Sequence, residues 1–401
     1  MIHDTVSPMK LSPGCLSGTV VIDASRVLAG PFSGQLLGDH GAEVIKVESF
    51  EGDDTRGYGP PFIDGVAPYF LGLNRNKQDL ALDLSRAEGI AVLFSLLEHA
   101  DVFIENFKMS TWRKWGINDF DEMAQRFPRL VHCRISGFGE SGEFGGLPGY
   151  DAALQAMSGI MSVNGEPAGG ATRVGMPLVD TATGMYAALG ITLALLERQR
   201  SGKGQRLEAT LYDTAIALLH PHVSNVMHGG QAPRTGNGHP NIVPYDLFPT
   251  GTVPLFLAVG NDRQFGTLCA ELGEPALCDD PRYRKNRDRV THRDSLRPRL
   301  IELLATRDGM QLFERLMSIG VPCAPVLTVE QALALDHTRE REMCVEFEGY
   351  RGPGIAIKLS RTPGAVRSAP PRIGEHSEAV LARFGHAADS IAALIESGVV
   401  R

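Results

Sequence analysis

Three patterns in this chain carry residue types that could do chemistry. The first is Gly137-Phe138-Gly139-Glu140-Ser141-Gly142, which follows a β-branched run. It matches the glycine spacing that cradles a dinucleotide pyrophosphate. That chemistry needs a helix to begin inside the loop, so that free N–H groups face the phosphates. Here Glu143-Phe144-Gly145-Gly146-Leu147-Pro148-Gly149 follows, a stretch unsuited to a helix. The pattern reads instead as a glycine loop that covers a ligand. The second is Asp180, at or near the start of an apolar helix expected over 183–199. Its ordinary reading is a helix N-cap. The same place favours an ionised carboxylate, and an ionised carboxylate can act as a nucleophile. Gly184, one turn on, would let a bulky substrate come close. The third is a set of polar clusters: Asp53-Asp54-Thr55-Arg56, Asn74-Arg75-Asn76-Lys77 and Gly236-Asn237-Gly238-His239-Pro240. Taken singly, each is a polar turn. The motifs of NTP-binding loops, serine-hydrolase elbows and zinc sites do not occur.

The elements that must position these residues alternate. Gly18–Ala24, Ala42–Glu48, Leu80–Leu84, Asp101–Ile104, Leu130–Ser136 and Arg206–Leu211 read as strands. Pro31 suits the first turn of a helix that runs to about Asp39. Glu88–His99 places Ile90, Leu93, Leu96 and Leu97 on one helical face. Helices are also expected at 151–161 and 213–230. Strand, helix and parallel strand in succession give a doubly wound α/β pattern. Gly229–Pro254, dense in Gly, Pro, Asn and Thr, marks a change of domain. A strand at Leu255–Val259, a mainly helical stretch from Asp262 to Ile319 and a strand-like Gly320–Val326 follow. The tail, 336–401, is mixed, with a last helix near His376–Phe384.

Composition narrows the classes. The 401 residues carry 39 Lys+Arg against 47 Asp+Glu, a net charge of −8. Such a chain has no basic surplus for a nucleic-acid backbone. The apolar stretches are interrupted before the ~18–20 residues of a membrane helix, so no membrane partner is expected. Met1–Lys10 is polar and lacks the features of a secretory leader. Six scattered cysteines (Cys15, Cys133, Cys269, Cys278, Cys323, Cys344) suggest reduced thiols in a cytoplasmic protein, with no metal site and no disulfide frame.

Taken in order, further segments resemble the class III CoA-transferases, the CaiB/BaiF family. They are Val27–Pro31, Gly41–Glu48, Gly52–Arg56, Asn74–Lys77, Glu105-Asn106-Phe107, Gly149-Tyr150-Asp151, Asp180-x-x-x-Gly184, and Arg198-x-x-x-Gly202-Lys203-Gly204-Gln205. The resemblance implies a large Rossmann-like parallel-sheet domain built from both chain ends, with a smaller domain inserted between, and an interlocked homodimer. The expected bounds are 1–215 for the first part of the large domain, 230–330 for the small one and 336–401 for the returning part.

By the same resemblance, Asp180 is the nucleophile that carries CoA as an aspartyl thioester, with acyl-CoA thioesters as substrates and no permanently bound cofactor. Glycine-loop N–H groups would stabilise the oxyanions. CoA contacts carry over to Leu28, Ala29, Leu82, Asp83, Leu84, Ser85, Asn106, Phe107, Lys108, Lys114 and Tyr150. Gly236–Tyr245 is most similar to enzymes that handle dicarboxylates such as glutarate, with succinyl-CoA as donor; oxalate-using enzymes are close. A 2-methylacyl-CoA racemase of the same family is the rival reading, although family racemases carry His where Tyr150 stands. A non-catalytic CoA-binding protein is the rival from another class.

Overall fold

The computed structural model describes residues 13–401. The N-terminal stretch read above for a leader lies outside the described residues. The chain divides into two compact units.

The first unit comprises residues up to Ser158, Gly175–Leu218 and Asp336–Arg401. Its centre is a six-stranded sheet: β1 (Val20–Asp23), β2 (Glu43–Glu48), β3 (Lys77–Ala81), β4 (Val102–Glu105), β5 (Val131–Ser136) and β6 (Arg206–Thr210). The order is β3-β2-β1-β4-β5-β6, and every pairing is parallel. β1 is buried on both faces, which explains its unbroken β-branched run. Its Val21 pairs with Val44 on one side and Val102 on the other. Strand order reverses at β1/β4, and the crevice beyond such a reversal is where open α/β sheets bind ligands.

β3 begins three residues before the expected Leu80 and ends at Ala81. Hydropathy hides its start because Lys77 and Asp79 are charged, yet both are fully buried. Lys77 Nζ donates to Asp23 Oδ2 at 2.8 Å, Asn74 Oδ1 at 2.9 Å and Pro31 O at 2.7 Å. Lys46 on β2 donates to Asp53 Oδ2 at 3.0 Å and to Ser25 O at 3.1 Å. Buried charges are tolerated when paired and hydrogen-bonded in this way.

Helices α1 (Ala29–Asp39), α2 (Ala87–Leu97), α3 (Met109–Lys114), α4 (Phe120–Arg126), α5 (Asp151–Ser158), α6 (Leu178–Ser201) and α7 (Leu211–Ala217) join the strands or pack on them. The C-terminal residues Val380, Leu381, Phe384, Ile391, Val399 and Val400 enter the same apolar core as Ile22, Ile45, Leu93 and Phe103. Leu82 bridges to Val400, so the two chain ends share one core. Residues 388–396 form a helix that the sequence reading missed.

α6 is 24 residues long, and its most apolar 18-residue window has a mean hydropathy of 1.4. Among the described residues it is the helix long and apolar enough to cross a membrane, contrary to the expectation above. Its buried face, however, is Val179, Thr183, Gly184, Ala187, Ile191 and Ala194, and it packs along α1. Gly184 serves that contact: a Cβ there would meet Ala29 O at 2.6 Å. What approaches Gly184 is therefore α1, not a substrate.

The second unit comprises Gly159–Val174 and Leu219–Leu335. Gly159–Val174 thus joins the inserted unit, although the sequence reading left it in the larger one. Three antiparallel strands, β7 (Tyr245–Phe248), β8 (Leu255–Ala258) and β9 (Cys323–Pro325), carry helices at Asp262–Glu271, Arg293–Leu304 and Gly309–Ser318 over a separate core. The helix expected over 213–230 is broken into Leu211–Ala217 and His222–Met227. Pro221, which lacks an N–H donor, stands at the break.

Candidate active site

A cavity of about 520 Å³ opens at the β1/β4 switch point of the first unit. Its walls are the segments after β1 (Arg26–Gly30), β4 (Asn106–Ser110) and β5 (Gly137, Gly139 and Gly146–Tyr150), with Asp54, Arg134, Asp180 and Leu211. These are loops at the carboxyl ends of strands, as the fold requires.

The loop after β1 is held in an unusual conformation. Val27 has φ of 75°, a region that β-branched residues avoid. Both Asp53 carboxylate oxygens accept from Val27 N at 3.3 Å. Asp53 also accepts from Thr55 N and Oγ1 and pairs with Lys46. Asn106 closes the other side: its Oδ1 accepts from Arg26 N at 3.2 Å and its Nδ2 donates to Arg26 O at 3.0 Å. Strain at a cavity rim that is fixed from two sides marks a functional loop.

Asp180 is the third residue of α6, not its cap. The N-cap is Pro177, which offers no side-chain bond. The capping role falls to Asp151, whose Oδ1 accepts from Val179 N at 2.7 Å and from Asp180 N at 3.1 Å. The other Asp151 oxygen accepts from Gln155 Nε2 at 2.6 Å. Among the described residues, no N–H or O–H donates to the Asp180 carboxylate. Burial, and then the charge of Asp151, push its carboxyl up to about 7. The helix end therefore does not keep Asp180 as acidic as the sequence reading expected. Nearby, burial and then Asp180 push the Tyr69 phenol up to about 12, so Tyr69 keeps its proton. Its ring meets Tyr58 edge-on at 5.5 Å. A half-buried carboxylate with no donor on it, reached from an open cavity, can attack an electrophilic carbonyl.

The other residues expected in the site fall into two neighbourhoods. Leu28, Ala29, Asn106, Phe107, Lys108 and Tyr150 line the cavity with Asp180. Leu82, Asp83, Leu84, Ser85 and Lys114 are not among its lining residues. Leu82 is a core residue. Asp83 accepts from Ser85 N at 2.9 Å and Oγ at 2.6 Å, closing a turn. Leu84 O accepts from Trp115 Nε1 at 3.2 Å, next to Lys114. Phe107 and Trp115 stack edge to face at 5.0 Å and link the two neighbourhoods.

The glycine loop carries no helix until α5 begins at Asp151. Gly139 N donates to Ser136 Oγ, Gly145 N to Gly142 O, and Gly146 N to Gly139 O. Those three N–H groups are engaged and do not form the oxyanion donors anticipated from sequence. In the second unit, Gly236–Pro240 leads towards β7; His239 packs on Tyr245, and its carbonyl accepts from Arg293. Burial, followed by His222 and Arg293, holds the His239 ring below the usual histidine range.

Sequence reasoning missed Arg134, Glu140, Tyr69 and the capping role of Asp151. Asp151 stood in the Gly-Tyr-Asp segment, but its partners are 28 and 29 residues away, beyond any local pattern. Asp53 read as a loop residue because its work is done across 26 residues.

Comparison with known proteins gives a consistent result. The profile of CoA-transferase family III matches residues 16–377. A succinate–glutarate CoA-transferase of Agrobacterium fabrum is 40% identical over 382 residues, covering 92% of this chain and 95% of that protein. An acetyl-CoA:oxalate CoA-transferase of Acetobacter aceti is 36% identical over 380 residues, 92% of this chain and 96% of that one. The crystal structure of a CaiB/BaiF family protein from Brucella suis superposes with a TM-score of 0.83 at 38% identity, over 93% of this chain and all of the other.

Proposed function

The chain belongs to CoA-transferase family III and is a CoA-transferase, and on that premise we propose that it moves CoA from succinyl-CoA to a small dicarboxylic acid through Asp180. The observation that carries this is the Asp180 carboxylate: in the first turn of α6, on the cavity wall, with no donor on it among the described residues. An Asp180 oxygen attacks the thioester carbonyl; the C–S bond breaks, and CoA leaves as thiolate. The thiolate then attacks the Asp180 carbonyl of the anhydride, releasing succinate and leaving an aspartyl-CoA thioester. The acceptor carboxylate attacks that thioester, and the returning thiolate resolves the second anhydride into product and free Asp180. Each step exchanges one acyl bond for another, so the proton and energy balance closes without ATP.

The dicarboxylate class is supported by the relatives named for glutarate. On the cavity wall Arg26 is paired with Asp54 and Arg134 with Glu140, while Lys108 has no ion-pair partner among the described residues, which suits an anionic substrate. The CoA contacts proposed are Leu28, Ala29, Asn106, Phe107, Lys108 and Tyr150, with Leu82–Ser85 and Lys114 meeting the far end of the molecule by way of Phe107 and Trp115. We also read a homodimer. Met185, Tyr186, Leu189, Leu193 and Leu196 of α6 are each about half exposed, a large apolar stripe for a free surface. Six free cysteines fit a reducing, cytoplasmic setting.

The test is a panel of acids (glutarate, oxalate, malate, itaconate, citramalate and acetate) incubated with succinyl-CoA or acetyl-CoA and read by mass spectrometry. New dicarboxyl-CoA thioesters from succinyl-CoA support the reading. Transfer to acetate alone, or hydrolysis without transfer, sinks it.

A further inference from the structure

The loop Gly137–Gly149 forms part of the cavity wall through Gly139, Gly146, Leu147 and Pro148. Its ends touch: a Cβ on Gly137 would stand 2.7 Å from Gly149 N. Between them, Gly139, Gly142 and Gly146 all have positive φ. Phe138 packs on Phe144 at 5.5 Å and on Tyr212 at 5.8 Å, but the glycines give the rest of the loop a high ordering cost. Besides its backbone bonds, one carboxylate ties its first half to the sheet. Glu140 Oε1 lies 2.7 Å from Arg134 Nη1, and Glu140 Oε2 lies 2.6 Å from Arg206 Nη2.

The two arginines come from adjacent strands, β5 and β6. Both guanidinium groups lie over the ring of Phe120, at 4.7 Å and 4.1 Å. Arg134 is buried, lines the cavity and donates to Phe107 O at 3.2 Å; among the described residues its Nε has no partner. Glu208, 3.8 Å from Arg206, is the remaining acid of the cluster. Glu140 thus neutralises two like charges, and a buried Arg134 deprived of it would be left poorly compensated.

We propose that Glu140, forked between Arg134 and Arg206, is a positioning residue that holds the loop Gly137–Gly149 as a wall of the acyl-CoA site. The proposal rests on the cavity being that site. It places the role of Glu140 in binding rather than in the chemistry of Asp180, because the clamp fixes the loop and does not contact the Asp180 carboxylate.

The test uses the full chain with Glu140→Gln and with Arg206→Gln. The second variant leaves the buried Arg134 paired with Glu140 and guards against loss of folding. KM for acyl-CoA rises about tenfold, the size of one charge-assisted hydrogen bond lost, while kcat changes by less than about threefold. Hydrogen exchange accelerates in residues 138–148 and not in the sheet. The double variant is no worse than the more severe single one, since both changes open one clamp. Unchanged KM and unchanged loop exchange, in a background where wild type binds CoA by calorimetry, overturn the proposal. Wild type that fails to bind CoA overturns instead the cavity assignment on which it rests.

Discussion

Asp23, at the end of β1, and Asp180, in the first turn of α6, are two carboxylates withdrawn from water and treated in opposite ways. Asp23 accepts from Lys77 Nζ at 2.8 Å, and from Ser25 N at 3.1 Å and Ser25 Oγ. Burial would raise its pKa, but Lys77 and Lys46 outweigh it and hold the carboxyl below the usual range. Asp180 has burial and a like charge and, among the described residues, no cation beside it, and its carboxyl rises to about 7. One region assigns its cations to anchoring the strand ends and the Val27 loop. The other leaves a carboxylate without a partner where a substrate can reach it. A perturbed group in a cleft is where chemistry is sought; a paired one is scaffolding.

Five substitutions at four positions break or sharpen this contrast. The largest effect is on Asp180. Asp180→Ala removes the nucleophile, so transfer falls by on the order of 10⁴-fold or more, measured as turnover of succinyl-CoA with the best acceptor. Folding tells the opposite story. The raised folded-state pKa means that the unfolded chain loses this proton near pH 4 and the folded chain near pH 7, so Asp180 costs stability progressively as pH rises between them. Asp180→Asn is therefore more thermostable than wild type at pH 8 and gains little at pH 4, checked by thermal melts.

Lys77→Met comes next, and its effect is on stability. It leaves Asp23 buried without its cation, a loss of about 3–5 kcal/mol visible in urea unfolding. Gly184→Ala forces a methyl to within 2.6 Å of Ala29 O and costs about 1–3 kcal/mol, read in the same way; an unchanged midpoint would remove the close α1–α6 contact from the account. Asp151→Asn is the mildest. The amide oxygen still accepts from Val179 and Asp180, the amide nitrogen replaces the oxygen that accepts from Gln155, and the charge is gone. The acid limb of the kcat/KM profile, expected in wild type from the Asp180 carboxyl at about 7, moves to lower pH by about one unit or less, because burial, the larger cause, remains.

The sheet was readable where strands are β-branched throughout, as in Gly18–Ala24 and Leu130–Ser136. It was misread at β3, where Lys77 and Asp79 occupy core positions and only tertiary pairing explains them. The short helices Met109–Lys114 and Phe120–Arg126 carry too few turns for an apolar period to show. Asp180 was legible as the functional residue, yet its surroundings were not. The helix starts at Leu178 rather than 183, which moves Asp180 into the first turn and passes the cap to Asp151. Gly184 was seen as special, but for the wrong neighbour. What local sequence cannot show is which distant group takes each hydrogen bond, and that decides which carboxylate is scaffold and which is free.

The central claim is that Asp180 becomes acylated. Wild type is incubated with succinyl-CoA at pH 8, quenched with hydroxylamine and digested, and the peptides are read by mass spectrometry, with Asp180→Ala alongside. A hydroxamate is expected on Asp180 only with acyl-CoA, and is absent from the variant. Transfer proceeding with the label on another residue, or with full activity in Asp180→Ala, would contradict it.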